Sequence, residues 1–571
     1  MRMRTTVRTA LCGCFTLLSL LLPPAAPAQE LHSRPHAAAI ATADEQATEA
    51  AADMLRNGGN AFDAAVAATA VLAVVEPFNS GLGGGGFYLL HRARDGRQVV
   101  IDARETAPAA ATADMYLDAR GRVIAEKSTD GPLAAAIPGI PAALDHLARN
   151  YGRLPLAVTL APAVNLARNG FQVGESYRRM AQARIEALRR SPAASAAYLV
   201  NGEVPAAGYV VRQVELADTL ERISQAGAEA FYSGDLARRL VDGVRSTGGV
   251  WTDQDLASYR IRERAPLVGQ YRDIRVISVP PPSSGGTALI EALNILAGVS
   301  FDPRQPAARK HFIVEAMRRA YRDRAEFLGD PDFAPVPVER LTSAAHADAL
   351  RAGIAAGRAT ASSALAPAVP SGAARAAGGN TTHFSVLDAE GNRVAATLSI
   401  NTPFGSAYMP PGTGVVLNNE MDDFVAAPGQ PNSYGLVGGQ ANAIAPGKRP
   451  LSSMTPTFLE SADRVGILGT PGGSRIITMV LLGVLEFQAG RPPQAWVSLP
   501  RYHHQYLPDR VEAETGALND IERAALQRWG HEIEVLERQY GNMQAILWDR
   551  ASGEVKAASD PRGEGAAAVL Q

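Results

Sequence analysis

The chain has very little cysteine. Its 571 residues include only Cys12 and Cys14, both inside an N-terminal segment that is expected to be removed. A mature chain without them forms no disulfide, has no thiol nucleophile and offers no cysteine ligand to a metal. The chain also has no large excess of positive or negative charge. The formal net charge is -2 and there is no long basic run, so the composition argues against nucleic-acid binding.

The N-terminus has the pattern of an export signal. Arginines precede an apolar run over 10–22 that is too short to span a bilayer comfortably. A small-x-small triplet ends at Ala28 and predicts cleavage before Gln29. Residues 1–28 are therefore predicted to be a signal peptide, and the mature protein to be periplasmic or secreted without a membrane span. A retained membrane anchor is the alternative.

Several common catalytic and binding motifs are absent. There is no G-x-S-x-G elbow and no evident Ser-His-Asp arrangement. The run Gly83–Gly86 lacks the lysine of a phosphate loop and the G-x-G-x-x-G spacing, so it predicts close backbone packing. His503-His504 has no third ligand at a suitable spacing and is predicted to be a packed, hydrogen-bonded pair.

Most of the chain has the pattern of alternating helices and strands. Apolar spacing predicts helices over 37–55 and 61–75, and short strands over 86–90 and 99–101. Residues 351–380 differ, because alanine, serine, glycine, proline and arginine dominate and bulky apolar residues nearly vanish. Such a segment buries little apolar surface, so it is predicted to be a flexible linker.

A β-hairpin with a polar stripe is predicted directly after this linker. Its strands cover 381–388 and 394–401, with a turn between them. Residues two apart on a strand share a face, so Thr397, Ser399 and Asn401 lie together. A polar stripe in a buried sheet needs partners or a ligand, which makes this strand a candidate for a functional site.

Several short segments occur in the order and spacing of a known family. They are Asn79–Gly86, Asn380–His383, Asn418–Phe424, Pro450–Met454, Pro471–Arg475 and Arg501–Gln505. Together they resemble the signature segments of the γ-glutamyltransferases, which are also called glutathione hydrolases. The similarity runs through nearly the whole mature chain.

This resemblance implies a fold and a processing step. The family belongs to the N-terminal nucleophile hydrolases, so the expected fold class is α+β. The expected architecture is a four-layer αββα sandwich with a mostly helical part in the large chain. A precursor is expected to cut itself between Asn380 and Thr381. The large subunit would then be 29–380 and the small catalytic subunit 381–571, intertwined as a heterodimer in one αββα unit.

Cleavage at this bond has a chemical reason. A threonine hydroxyl is a poor nucleophile at neutral pH and needs an adjacent base. The freed α-amino group of Thr381 titrates only slightly above neutral pH, so its neutral form can accept the hydroxyl proton. Before cleavage the same nitrogen belongs to a peptide bond and is no base. The uncut precursor is therefore expected to be nearly inactive.

The resemblance also implies a site for a γ-glutamyl group, which carries one carboxylate and one ammonium. Arg104 matches the family arginine that binds the carboxylate, and the planar guanidinium suits bidentate pairing. The hydroxyls that complete the carboxylate pocket are those of Ser452 and Ser453. The groups that match the ammonium site are Asn401, Glu420 and Asp423.

Four further residues are assigned by the same resemblance. The backbone N–H groups of Gly472 and Gly473 match an oxyanion hole. Ser399 stands where the family often has threonine, beside the nucleophile, and it keeps the hydroxyl. Tyr434 lies in a loop over 428–439 that resembles the lid of bacterial members and would close over the bound group.

The predicted reaction is a two-step acyl transfer without metal or organic cofactor. Glutathione or another γ-glutamyl compound acylates Thr381, and water or the amine of an amino acid or peptide then takes the glutamyl group. Two alternatives remain. One is a self-processing acylase of the glutaryl or cephalosporin type, against which Glu420 and Asp423 argue because a glutaryl group has no ammonium. The other is a non-catalytic periplasmic binding homologue.

Overall fold

The computed structural model describes Met1 and residues 31–302, 304–365, 380–427 and 429–571. All of the predicted signal peptide except Met1, together with its cleavage site, lies outside these residues. Within them, no helix combines the length and the hydrophobicity that crossing a bilayer requires.

Most of the strands form the two inner layers of the molecule. The strands of the described residues are β1 (Ala38–Thr42), β2 (Gly85–Arg92), β3 (Arg97–Asp102), β4 (Phe171–Gln172), β5 (Val210–Val211), β6 (Arg262–Arg264), β7 (Leu267–Tyr271), β8 (Ile274–Ser278), β9 (Thr382–Leu387), β10 (Arg393–Ser399), β11 (Thr457–Glu460), β12 (Arg464–Gly469), β13 (Tyr502–His503), β14 (Val511–Glu514), β15 (Ile533–Leu536), β16 (Gln544–Asp549), β17 (Val555–Ser559) and β18 (Ala566–Leu570).

Two large sheets stack on each other, whereas β4, β5, β13, β14 and β15 form two small separate sheets. The first has the order β18-β1-β9-β10-β2-β3-β6, and the second has the order β17-β16-β12-β11-β8-β7. Alternate residues of a strand point to opposite faces. Phe87 and Leu89 of β2 therefore pack with Ile277 and Ile467 of the second sheet, whereas Tyr88 points into the helices on the other side.

Helices cover the outer faces of both sheets. Within the described residues they are α1 (Glu45–Arg56), α2 (Ala61–Val75), α3 (Ala125–Thr129), α4 (Ile140–Asn150), α5 (Leu156–Asn169), α6 (Glu175–Arg189), α7 (Pro192–Tyr198), α8 (Val214–Ala226), α9 (Glu229–Tyr232), α10 (Gly234–Ser246), α11 (Asp253–Ser258), α12 (Gly285–Ala297), α13 (Pro306–Phe327), α14 (Val338–Leu341), α15 (Ala344–Ala352), α16 (Ile476–Gln488), α17 (Pro493–Ser498) and α18 (Asp520–Arg528). The first sheet packs on α1 and α2, and the second on α12, α13 and α16. The predicted αββα sandwich of the α+β class is confirmed.

The two N-terminal helix predictions have different outcomes. The helix predicted over 61–75 is confirmed as α2, which begins at a capping box formed by Asn60 and Asp63. The helix predicted over 37–55 is wrong in its first part. Its first residues form β1, and α1 begins only after the N-cap Asp44. The reason is tertiary, because β1 pairs with both β9 and β18.

The observed strands and hairpin place the candidate site within the first sheet. The strands predicted over 86–90 and 99–101 are confirmed within β2 and β3. The hairpin is confirmed by the antiparallel pairing of β9 with β10. On its other side β10 pairs with β2, so that Ser399 lies opposite Gly85. The end of β10 is thus held from both sides.

Part of the segment predicted to be a flexible linker, 351–380, packs against the body of the protein. Ser362 is buried, and its hydroxyl accepts a hydrogen bond from Arg318 at 2.7 Å. Its backbone N–H donates to Asp509 at 2.7 Å. Polar partners far away in sequence therefore fix this stretch, which composition does not show. Residues 366–379 lie outside the described part of the chain.

The glycine run beside β10 allows backbones to approach closely, as predicted. A methyl group on Gly83 would lie 2.1 Å from the carbonyl oxygen of Val416, and one on Gly84 would lie 2.1 Å from that of Ser399. No side chain fits at these positions without moving the opposing backbone. The run therefore helps to set the position of Ser399.

We expect Gly84→Ala to destabilise the protein by about 1–3 kcal/mol, because the added methyl overpacks the contact with Ser399. Gly81→Ala is the matched control, since its nearest neighbours, Ile400 and Val416, would be 3.9 Å away. Melting temperatures of both variants measure the difference. Equal values would contradict the role of Gly84 in close packing.

Candidate active site

Three oxygen atoms meet at the bond that is predicted to be cut. Asn380 and Thr381 are consecutive residues of one continuous chain, and both are buried. Thr381 Oγ1 lies 2.7 Å from the carbonyl oxygen of Asn380 and 3.2 Å from Ser399 Oγ. Ser399 Oγ donates to the same carbonyl at 3.1 Å. The hydroxyl of Thr381 therefore lies beside the carbonyl group of the residue that precedes it.

Arg104 is fully buried and paired with two acids. Its guanidinium lies 2.6 Å from Glu420 and 2.6 Å from Asp423, and its Nε donates to the carbonyl of Pro450 at 3.1 Å. Sequence reasoning assigned the arginine and the acids to opposite ends of a ligand. In the structure the arginine instead pairs with both acids, because buried charges need partners.

Glu105 is a buried acid that sequence reasoning missed. Its carboxylate lies 3.5 Å from Arg104, and neither of its oxygens has a hydrogen-bond partner in the described residues. Burial raises the pKa of Glu105 to about 7, although Arg104 opposes the shift. Burial also raises the pKa of Glu420 well above its ordinary value. The sequence did offer one sign of Glu105, because it directly follows Arg104 in the same short segment.

A second buried arginine, Arg324, supports the predicted serines. It donates to Ser453 Oγ at 3.2 Å and to Ser284 Oγ at 2.9 Å. Ser284 in turn donates from its backbone N–H to the carbonyl of Ser452 at 2.8 Å. The segment around Ser284 thus positions the serine pair. Arg324 was missed because its helical context gives no sign of this contact.

Tyr434 closes this small space from above. Its hydroxyl donates to the carbonyl of Asn401 at 2.6 Å, and its ring lies so close to Gly473 that a methyl there would be 2.5 Å away. The loop before Tyr434 is tied down through Asn432, which donates to Asp423 at 3.0 Å. Only about 20 Å³ remains free beneath the ring, which is room for about one water molecule.

The structure brings all but two of the predicted residues to this space. Its lining includes Arg104, Thr381, Ser399, Asn401, Glu420, Asp423, Tyr434, Ser452, Ser453 and Gly473. Asn380 and Gly472 lie at its border and line a neighbouring cavity instead. Gly472 and Gly473 have φ values of 144° and 57°, which L side chains rarely adopt. Their conformation turns the backbone into α16.

The neighbouring cavity opens on the other side of Thr381 and has a volume of about 950 Å³. Its wall carries acids that the sequence analysis missed, Asp44, Glu76 and Glu564. Glu76 accepts a hydrogen bond from the Thr382 hydroxyl at 2.8 Å. Burial raises the pKa of Glu76 to about 8, and the charge of Asp44 adds to the shift. Thr381 therefore lines both the small space beneath Tyr434 and this large cavity.

The histidine pair belongs to neither pocket. His503 bonds to Thr478 and to Gln505, each at 2.8 Å. His504 accepts from the backbone N–H of Tyr506 and lies 3.2 Å from Asp509. Both imidazoles therefore have protein partners on both nitrogens, and the predicted packed, hydrogen-bonded pair is confirmed.

Comparison with known proteins gives consistent results. A sequence model of the family Gamma-glutamyltranspeptidase matches residues 47–570. The glutathione hydrolase proenzyme of Pseudomonas sp. (strain A14) is 42% identical, with 86% of each chain covered. That of Escherichia coli (strain K12) is 41% identical, covering 92% of this chain and 90% of the relative. The crystal structure of cephalosporin acylase from Bacillus halodurans superposes with a TM-score of 0.81 at 28% identity, covering 96% of this chain and 99% of that one.

The proton on Glu76 predicts a pH dependence of stability. The folded protein retains this proton up to about pH 8, whereas the unfolded chain releases it near its ordinary value of 4.5. The stabilisation is complete below pH 4.5 and is lost as the pH rises toward 8, by up to about 1.4 kcal/mol per pH unit.

Glu76→Gln stays neutral, so we expect its melting temperature to fall less than that of the wild type between about pH 5 and about pH 8. Glu126→Gln changes an exposed glutamate of the same cavity and should follow the wild type. Identical slopes for the wild type and Glu76→Gln would contradict the assignment.

Proposed function

This chain belongs to the γ-glutamyltranspeptidase family, and we propose that it is a self-cleaving γ-glutamyltransferase and glutathione hydrolase with Thr381 as its nucleophile. The chain is an enzyme of the N-terminal nucleophile hydrolase class. The observation that carries the proposal is the contact of the Thr381 hydroxyl with the Asn380 carbonyl oxygen at 2.7 Å.

The first reaction is the cleavage of the chain itself. Thr381 Oγ attacks the carbonyl carbon of Asn380, the amide C–N bond breaks, and the hydroxyl proton passes to the nitrogen. The resulting ester is opened by water, which leaves a carboxylate on Asn380 and a free α-amine on Thr381. Ser399 supports this step because its hydroxyl bonds to the carbonyl oxygen that gains negative charge.

The substrate pocket is suited to a zwitterion. The α-carboxylate of a glutamyl group can pair with the guanidinium of Arg104 and accept hydrogen bonds from the hydroxyls of Ser452 and Ser453. The α-ammonium of the same glutamyl group can pair with Glu420 and Asp423, with Asn401 beside them. Every buried charge then keeps a partner in both states, which limits the cost of desolvation. A space of about 20 Å³ holds no glutamyl group, so Tyr434 must move to admit it and then close again.

Acyl transfer then uses the substrate pocket on one side of Thr381 and the large cavity on the other. Its α-amine accepts the hydroxyl proton while the oxygen attacks the γ-amide, and the backbone N–H groups of Gly472 and Gly473 stabilise the oxyanion. The γ-amide C–N bond then breaks, the α-ammonium returns its proton to the leaving amine, and that amine departs toward the large cavity. Water or an acceptor amine enters from there, gives a proton to the α-amine and displaces the Thr381 oxygen from the glutamyl carbonyl. The chain's own groups perform each step.

Processing produces two chains that stay interlocked. The large subunit, 29–380, supplies β1, β2, β3 and β6 to the first sheet, whereas the small subunit, 381–571, supplies β9, β10 and β18. The second sheet is shared in the same way. The two products therefore form a heterodimer held by backbone hydrogen bonds. Export by the signal peptide 1–28 would place it in the periplasm or outside the cell.

An acylase for glutaryl side chains is the second candidate, because a cephalosporin acylase shares the fold. A glutaryl group has no ammonium. The acids Glu420 and Asp423, each 2.6 Å from Arg104, favour a substrate that carries both charges. A non-catalytic binding protein is disfavoured by the placement of Thr381 and Ser399 on the Asn380 carbonyl.

We expect Thr381→Ala to remain one band of full size on a denaturing gel and to lose at least about 10³-fold in release of aniline from a γ-glutamyl anilide. Thr381→Ser is the matched control, because it keeps a hydroxyl and, after cleavage, an α-amine. It should still be cut and keep measurable activity. Cleavage of Thr381→Ala at the same bond would disprove the nucleophile assignment.

Asp423→Asn should lower kcat/KM for a γ-glutamyl anilide about 10- to 100-fold, since the ammonium loses a charged partner. Activity on a glutaryl anilide, which lacks the ammonium, should change less. The preference of the enzyme for the γ-glutamyl over the glutaryl substrate should therefore become smaller. Asp422→Asn is the control, because Asp422 bonds to Ser128 and Ser433 rather than to Arg104. A wild type that prefers the glutaryl anilide would favour the acylase.

A further inference from the structure

Two acids and a histidine meet among the helices that cover the second sheet. Glu291 lies on α12, Asp323 on α13 and His346 on α15, and one ligand atom of each lies within 4.8 Å of those of the other two. Glu291 and Asp323 are buried, whereas the side chain of His346 is 14% exposed. Three helices thus converge on a cluster that the catalytic proposal does not use.

Glu291 is the unexplained member of this cluster. It is almost completely buried, and its Oε1 has no hydrogen-bond partner among the described residues. Asp323 has charged neighbours: one of its oxygens lies 2.9 Å from Arg322, without a hydrogen bond to it, and the other lies 2.5 Å from His346. A buried carboxyl oxygen without a partner costs free energy, and a ligand that supplies the missing partner would remove this cost.

We propose that Glu291, Asp323 and His346 bind one divalent cation, with Zn²⁺ preferred, and that this site holds α12, α13 and α15 together. Carboxylate oxygens and an imidazole nitrogen are the donors that zinc takes in proteins, whereas Ca²⁺ and Mg²⁺ prefer oxygen alone. The partly exposed edge at His346 provides an entry path and a place for water as a fourth ligand.

A second group of similar composition serves as a comparison. His311, Glu315 and His531 also lie within 4.8 Å of one another. His311, however, already bonds to His531 at 2.8 Å and to the carbonyl of Ala355 at 2.9 Å. Glu315 is neutralised by an ion pair with Arg319 at 2.5 Å. Both ring nitrogens of His311 and the carboxylate of Glu315 are thus occupied, and within this group only His531 Nδ1 lacks a hydrogen-bond partner. The cation is therefore assigned to the cluster around Glu291, where a buried carboxylate oxygen lacks one.

The position of the cluster gives the cation a structural role. Asp323 directly precedes Arg324, whose guanidinium holds Ser284 and Ser453 beside the active site. A cation that fixes Asp323 therefore also fixes the part of α13 that carries Arg324. It lies outside the pocket and takes no part in the reaction. Its loss should lower stability more than it lowers activity.

The test uses the purified, untagged enzyme, stripped with a chelator and then dialysed against Zn²⁺. We expect one Zn²⁺ per enzyme by elemental analysis and a rise of at least about 2 °C in melting temperature. Glu291→Gln should lose the rise and weaken binding at least about 10-fold. His531→Gln, which alters only the comparison group, should keep both.

Two results would overturn the proposal. The first is a wild type that binds no Zn²⁺ above the level of Glu291→Gln, which would leave Glu291 as a protonated partner of Asp323. The second is binding that survives Glu291→Gln but is lost in His531→Gln. If Glu291→Gln does not fold, His346→Asn makes the same comparison, because His346 lies at the surface of the cluster.

Discussion

The placement of one hydroxyl against one carbonyl underlies the whole account. Thr381 and Ser399 both bond to the carbonyl oxygen of Asn380, and they do so because β10 is paired with β9 on one side and with β2 on the other. The glycine at position 84 lets the chain approach Ser399. A threonine hydroxyl lacks a base of its own. In the proposed reaction, breaking the bond beside it creates that base on the same residue, within a sheet that both products would continue to share.

Charge balance decides what fits next to this nucleophile. Arg104, Glu420 and Asp423 form a buried set in which the arginine pairs with both acids. A ligand of one charge would leave a buried group unpaired, whereas a zwitterion replaces each partner with another. We therefore propose that the set selects for a glutamyl group, although it is not held open for one. On the other side of Thr381, the cavity of about 950 Å³ leaves room for amines of different size.

Sequence patterns predicted the local features and missed those that depend on tertiary contacts. The hairpin, the fully buried α2 and the glycine run follow from alternation, capping and composition. The first residues of the helix predicted over 37–55 form β1, because pairing with β9 and β18 outweighs alanine's preference for helix. Glu76 looks like an ordinary helix end, and Arg324 like one more arginine on a helix. Only the fold brings the first to the cavity and the second to Ser453.

We propose that the active enzyme carries a free amine on Thr381. Intact mass spectrometry and N-terminal sequencing of the smaller fragment of the purified wild-type enzyme test it most directly. We expect a fragment that begins at Thr381, with activity proportional to its amount. A fully active enzyme that consists of one uncut chain, or a fragment that begins at another residue, would contradict it.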